Sequence, residues 1–208
     1  VIAIVDYGRG NVFSLGQALR QVGAEFELTS DPAKVRAAAK LILPGVGAFA
    51  DCVRNLRERG LAEPVIAAAR LGSPLLGICV GCQVLLDQGE EFGVHAGLGL
   101  IQGVVRRLPE PRDDDAEAIR IPNVGWRTLS VARGSSLFSG LPPESMMYFV
   151  HSYAPEPASP DDVSASIVVN GQRAAAAVER GRVFGVQFHP EKSGPAGLAL
   201  LAAFAREG

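Results

Sequence analysis

The feature that most restricts the fold is a series of short, apolar, β-branched runs separated by segments of helical periodicity. Residues 1–6 (VIAIVD) are apolar at five consecutive positions, without the alternation of a half-exposed strand. Such a run is buried on both faces, the condition inside a parallel sheet covered by helices. Residues 11–22 then place Val12, Leu15, Leu19 and Val22 on one helical face, with Asn11 as N-cap. Residues 25–29 and 40–43 read as further strands, 48–59 and 61–71 as helices, 74–78 as a strand, and 82–86 as the opening of a helix. Repeated strand–helix units predict a mainly parallel central sheet with flanking helices on both faces. Ligands bind beyond the carboxyl ends of such strands. The loops after Asp6, Leu43 and Ile78 are therefore expected on one rim.

The second half has a different texture. Residues 99–108, 127–131, 146–150, 164–169, 174–179 and 183–188 read as strands, and 197–205 as a closing helix. Asn170-Gly171 and Arg180-Gly181 are hairpin turn pairs, so antiparallel strands belong to this half. The expectation is one α/β domain over residues 1–208. Residues 109–117, with Asp113, Asp114 and Asp115 between prolines and charges, read as a disordered surface loop.

The chain of 208 residues is 48% hydrophobic and 20% charged, enough apolar material for a sizeable core. A net charge of −2 and scattered basic residues give no electrostatic ground for nucleic-acid or membrane binding. No apolar run reaches the length of a membrane span. The opening run reads as a strand, being short for a secretory leader and without a basic lead. Three cysteines, Cys52, Cys79 and Cys82, do not make a disulfide framework, and a reducing cytoplasm fits them better.

Gly77-Ile78-Cys79-Val80-Gly81 lies between an apolar strand and a helix start. This is a nucleophile elbow, G-x-nucleophile-x-G, with cysteine in the place of serine. The tight turn needs small flanking residues, the helix start favours a thiolate, and the Val80 amide can donate to a developing oxyanion. An inert core thiol is the alternative for an isolated apolar-flanked cysteine; the flanking glycines weigh against it. Cys79 and Cys82 also spell C-x-x-C, but a redox pair has no use for the glycines. A zinc site would need a spacing that His95, His151 and His189 do not supply. Neither a metal nor a cofactor is expected. Cys82 and Cys52 read as packing residues.

Residues 183–188 lead into His189-Pro190-Glu191. Two residues apart on an extended segment, His189 and Glu191 can point to one side, and Pro190 restricts His189 to extended geometry. A carboxylate on one imidazole nitrogen sets the tautomer and leaves the other to take a thiol proton. Cys79, His189 and Glu191 thus form a candidate Cys-His-Glu triad.

Together these motifs, G-x-C-x-G-x-Q from Gly77 to Gln83 and F-H-P-E from Phe188 to Glu191, resemble the class I, triad-type glutamine amidotransferases. The resemblance implies that Gln83 helps hold glutamine and that the loop Pro44-Gly45-Val46-Gly47 supplies oxyanion donors, with Gly45, Val46 and Gly47 beside Val80. Further segments, among them residues 6–11, 43–49, 121–126, 148–153 and 187–193, are similar to the family of glutaminase subunits of imidazole glycerol phosphate synthase, over about residues 2–206. That resemblance implies that Glu91, or the adjacent Glu90, meets the substrate amino group. It places Phe149, Val150, His151 and Ser152 at the substrate backbone. It puts Asn11, Ser14, Trp126 and Lys192 at the interface with a (β/α)8-barrel synthase subunit, which would receive ammonia from glutamine through a channel. The chain departs from the family pattern at Asn123, where histidine is usual, at Arg127, where asparagine is usual, and at Cys82, where methionine is usual. An amidotransferase subunit of anthranilate, aminodeoxychorismate or pyridoxal phosphate synthesis, a catalytically silent regulatory subunit, and a stand-alone cysteine hydrolase remain competing readings.

Overall fold

The computed structural model describes residues 1–111, 118–132 and 134–207. In chain order the first half contains β1 (Ile2–Val5), α1 (Val12–Gln21), β2 (Phe26–Thr29), α2 (Pro32–Ala37), β3 (Lys40–Gly45), α3 (Phe49–Glu58), α4 (Ala62–Arg70) and β4 (Leu75–Cys79). One helical turn, α5 (Val80–Gln83), leads to β5 (Leu86–Gly89), β6 (His95–Ala96), β7 (Ile101–Arg107), β8 (Asn123–Thr128) and β9 (Ser130–Val131). Then come β10 (Met146–His151), β11 (Tyr153–Pro157), β12 (Val163–Val169), β13 (Gln172–Arg180), β14 (Val183–Val186) and α6 (Gly194–Arg206).

The large sheet has the order β2-β1-β3-β4-β14-β13-β12-β9. Its first five strands are parallel, and β13, β12 and β9 extend it in antiparallel fashion. The expected mainly parallel sheet with later antiparallel strands is therefore present. β1, β3 and β4 are buried nearly throughout, as strands sandwiched between helices must be. α1 packs with α6, and α2 with α4. The chain order reverses at β1, so right-handed crossovers put α1 and α2 on opposite faces. Because β3, β4 and β14 are adjacent and parallel, their carboxyl ends share one edge. A second sheet has the order β11-β7-β5-β6, and β10 and β8 form a two-stranded ribbon.

Several boundaries differ from those read in the sequence. The helix expected to open at 82–86 is a single turn, and Leu86 already pairs with Ile101 of β7. Short apolar runs fit a buried strand and a buried helix equally, and only the partner strand decides. The run 127–131 is two strands: β8 pairs with β10, and after Leu129 the chain passes to β9, which pairs with β12. β11 has no counterpart among the strands read from sequence; its Pro155 and Pro157 weaken the strand signal, and it is the edge of its sheet, where proline is tolerated. α2 carried its signal in Asp31, whose side chain accepts from the Ala33 amide, followed by Pro32 at the first helical position. Residues 112–117 of the acidic segment lie outside the described residues. Among the described residues no helix is long and apolar enough to cross a membrane.

Candidate active site

β4 ends on Cys79, whose backbone has φ 57° and ψ −116°. A non-glycine residue there is strained, at a cost of about 1–3 kcal/mol that the surroundings must offset. They do so by close packing against glycines. A Cβ on Gly81 would lie 1.9 Å from the Leu43 carbonyl oxygen, and one on Gly77 would lie 2.5 Å from that of Gly81. Gly45, which pairs with Cys79 across β3–β4, would likewise meet the Gly81 nitrogen at 2.3 Å. The elbow is thus a contact of three backbones, possible only without side chains at those points.

β14 stops at Val186, and the chain continues through buried Gln187 and Phe188 to His189. His189 donates its backbone N–H to the Tyr148 carbonyl at 3.0 Å. The Ser193 hydroxyl donates to the His189 carbonyl at 2.6 Å and accepts from the Tyr148 amide at 3.0 Å. The ring is held by the Glu191 carboxylate, 2.9 Å from Nδ1, and both side chains are almost wholly buried. With Nδ1 engaged, Nε2 is left for the sulfur of Cys79. Burial by itself lowers the His189 pKa, but hydrogen bonding to Cys79 and Glu191, and the charges of both, outweigh it and push it up to about 9.

A cavity of about 310 Å³ opens over this pair, room for an amino-acid-sized molecule. Cys79, Val80, His189, Val46 and Gly47 line it. So do five of the expected substrate contacts: Gln83, Glu91, Val150, His151 and Ser152. Two expected residues do not reach it. Phe149 is fully buried and packs its ring against Phe188 and His151. Gly45 lies behind the cavity, against the Gly81 backbone. Glu91 and Glu90 point different ways. Glu91 accepts the Phe49 amide at 2.7 Å and faces the cavity, whereas Glu90 pairs with Arg106 at the surface.

The loop 44–47 is held from two sides. The Tyr7 hydroxyl donates to the Pro44 carbonyl at 2.6 Å, and the Cys52 thiol meets the Val46 carbonyl at 3.4 Å. Cys52 and Cys82 are fully buried, and burial pushes the Cys52 thiol up to about 11 and the Cys82 thiol higher still, as expected of the packing groups read from sequence. The three cysteines are free.

Of the four expected interface residues, Asn11 caps α1 by accepting from the Ser14 amide. Trp126 is 45% exposed, packed edge-on to Tyr148, over whose ring Lys192 places its ammonium. Lys192 follows Glu191 directly, so this surface borders the site. The sequence reading missed Gln187, whose side-chain amide donates to the Cys79 sulfur at 3.8 Å, and Tyr153 and Pro122, which line the cavity. Gln187 had a signal: it stands two residues before His189, as Glu191 stands two after.

A strained cysteine at a parallel strand's end, facing a glutamate-held histidine, defines a class-I glutamine amidotransferase, and comparison with known proteins agrees. The family Glutamine amidotransferase class-I matches residues 3–207, and the chain belongs to it. Its sequence is 47% identical to the imidazole glycerol phosphate synthase subunit HisH of Methylococcus capsulatus, over 99% of this chain and 95% of that one. It is 43% identical to the HisH subunit of Geobacter sulfurreducens, over 98% and 97%. Within the class, then, this chain belongs with the HisH subunits. Among solved structures, PurLQS from Thermotoga maritima shares the fold at TM-score 0.72 and 22% identity, covering 98% of this chain and 96% of that one.

Proposed function

We propose that this chain is the glutaminase subunit of an imidazole glycerol phosphate synthase, with Cys79, His189 and Glu191 as its catalytic triad. The observation that carries the reading is the meeting of strained Cys79 and Glu191-held His189 on the floor of one small cavity. The Cys79 thiolate attacks the side-chain amide carbon of glutamine, and the carbonyl π pair moves to oxygen. The oxyanion is met by the Val80 amide and by an amide of the 45–47 loop. His189 gives its Nε2 proton to the leaving nitrogen, so ammonia departs and a γ-glutamyl thioester remains. Neutral His189 then takes a proton from water; the hydroxide attacks the thioester and frees glutamate, and the Cys79 thiolate and protonated His189 are restored. Glu91 receives the substrate ammonium, and Gln83 with residues 150–152 receives its backbone.

Free ammonia would be protonated and lost in water, so the reading requires a partner. We assign this to a (β/α)8-barrel synthase subunit, which takes the ammonia and forms a heterodimer with this chain in the cytoplasm during histidine biosynthesis. The supporting surface is the outer face of the β8–β10 ribbon, where Val124, Trp126, Met146 and Val150 are exposed beside the cavity. Asn11, Ser14 and Lys192 complete that interface, and Phe13, 73% exposed next to Ser14, joins it. The isolated chain is nearly inactive until the 45–47 loop turns an amide inward, a change that glycines on both sides of Val46 make cheap. The test is glutamine hydrolysis by this chain alone, with the barrel subunit, and with the barrel subunit plus its ribotide. Ammonia release at least tenfold faster in the loaded complex is expected, and full activity from the chain alone overturns the partner assignment. A Cys79→Ala chain that still hydrolyses glutamine overturns the triad.

A further inference from the structure

An unbroken series of hydrogen bonds runs from the surface strand β8 to the proposed nucleophile. Arg127 Nε donates to Asn123 Oδ1 at 2.9 Å. Asn123 Nδ2 is 2.9 Å from His151 Nε2, and His151 Nδ1 is 2.9 Å from the Tyr153 carbonyl. That same carbonyl accepts from Gln83 Nε2 at 3.0 Å, which also donates to Gln187 Oε1 at 2.9 Å. Gln187 Nε2 then reaches the Cys79 sulfur at 3.8 Å.

The Arg127 guanidinium at one end and the Tyr153 carbonyl in the middle fix every group along the series. A guanidinium only donates, so Asn123 must turn its oxygen to Arg127 and its NH2 to His151. A carbonyl only accepts, so His151 must carry its proton on Nδ1 and accept at Nε2. Gln83 must turn its NH2 inward, which leaves its Oε1 for a ligand in the cavity. Gln187 must then present its own NH2 to the sulfur, where a donor stabilises a thiolate. Asn123, His151, Gln83 and Gln187 are all at least 95% buried, so each depends on these protein partners for its hydrogen bonds.

We propose that Arg127 and Asn123 are positioning residues: they hold His151 as the uncharged Nδ1–H tautomer and, through the Tyr153 carbonyl, orient Gln83 and Gln187 toward glutamine and the Cys79 sulfur. The inference rests on the triad reading. A misplaced proton matters because His151 stands beside His189, and a second imidazolium there would compete with the ion pair of His189 and Cys79. The titratable and charged groups around His151 are His189 and Arg127; burial holds its pKa down to about 4, and both of those charges act in the same direction. Asn123 and Arg127 are also two of the three positions where the sequence departs from the family pattern, the third being Cys82. They face each other four residues apart along β8 and act as one unit.

The experiment uses the chain assembled with its synthase subunit and compares Arg127→Ala, Arg127→Lys, Asn123→Ala and Asn123→Asp with the parent. Val168→Ala, at an exposed position of β12, is the control. Three readouts are taken: KM and kcat for glutamine, the rate of Cys79 alkylation by iodoacetamide, and 15N–1H spectra of the ring nitrogens of His151. In the parent, His151 gives the Nδ1–H pattern with no titration between pH 5.5 and 8. Arg127→Ala and Asn123→Ala raise KM roughly tenfold, the scale of one hydrogen bond, and slow alkylation of Cys79. Arg127→Lys restores most of both. Asn123→Asp, which cannot donate to Nε2, leaves His151 doubly protonated at neutral pH. Unchanged KM, alkylation and tautomer in Arg127→Ala and Asn123→Ala overturn the proposal. So does an equal loss in Arg127→Lys, or a variant that loses folding without changing the ring pattern in what remains folded. A parent that fails to release ammonia from glutamine defeats the functional reading instead, while the ring spectra still decide the orientation of the chain of bonds.

Discussion

At the residue scale, the site depends on atoms that are absent as much as on those present. A methyl group at Gly81 would sit 1.9 Å from the Leu43 carbonyl oxygen, a backbone atom that cannot swing aside. Gly81→Ala is expected to destabilise the fold by more than about 3 kcal/mol, at or beyond the usual cost of overpacking, measured by urea unfolding. The elbow's thiol is expected to be indispensable: Cys79→Ala lowers ammonia release in the assembled complex by about 10³-fold or more, while Cys82→Ala, at a thiol that only packs, stays within roughly tenfold. Glu191→Gln keeps the shape but not the charge that supports His189, and an activity loss above about 10²-fold is expected. Cys79, His189 and Glu191 were readable in the sequence because each belongs to a short local motif whose chemistry is stated by its neighbours. Gln187 was not read, because a glutamine beside a sulfur is defined by a contact between β14's exit and β4, 108 positions apart.

At the element scale, the two histidines of the cavity hang from different supports and respond to pH in opposite directions. His189, beyond β14, has its folded pKa raised to about 9 against an ordinary 6.5. Its contribution to stability is fully present below about pH 6.5 and is lost as the pH rises through about 9. Glu191→Gln removes one cause of that shift, so the fall in unfolding free energy between pH 6.5 and 9 is expected to be smaller in the variant than in the parent. His151, at the end of β10, has its folded pKa lowered to about 4, chiefly by burial. Its contribution is present above about pH 6.5 and is lost as the pH falls toward 4. His151→Gln is expected to flatten the acid side of the stability curve, read by denaturant titrations at pH 4.5 and 6.5. The strands that carry these groups differed in legibility. β1, β3 and β4 were plain because full burial leaves a continuous apolar run. β5 and β11 were hidden, the first by a run that suits helix and strand alike, the second by its prolines at a sheet edge.

At the scale of the whole molecule, the exposed ribbon borders the cavity through Val150, so a partner seated on it, as proposed, would also cover the cavity. Trp126 is the only tryptophan of the chain and is 45% exposed. Its emission is expected to shift to the blue on addition of the barrel subunit. Trp126→Ala is expected to weaken that association by about tenfold or more, the effect of removing an aromatic anchor, with little change in the thermal midpoint of the isolated chain. The sequence by itself determined the alternation of strands and helices, the elbow around Cys79 and the pairing of His189 with Glu191. Each of these is a local pattern, in which steric limits and side-chain spacing act over a few residues. Only the tertiary structure decided that Glu91 rather than Glu90 faces the cavity, that Phe149 turns away from it, and that Arg127 reaches through Asn123 to His151. Those outcomes depend on which strands lie side by side. Glu91 is held by the Phe49 amide, Phe149 by the Phe188 ring and Asn123 by His151, and one segment read in isolation does not contain such distant partners.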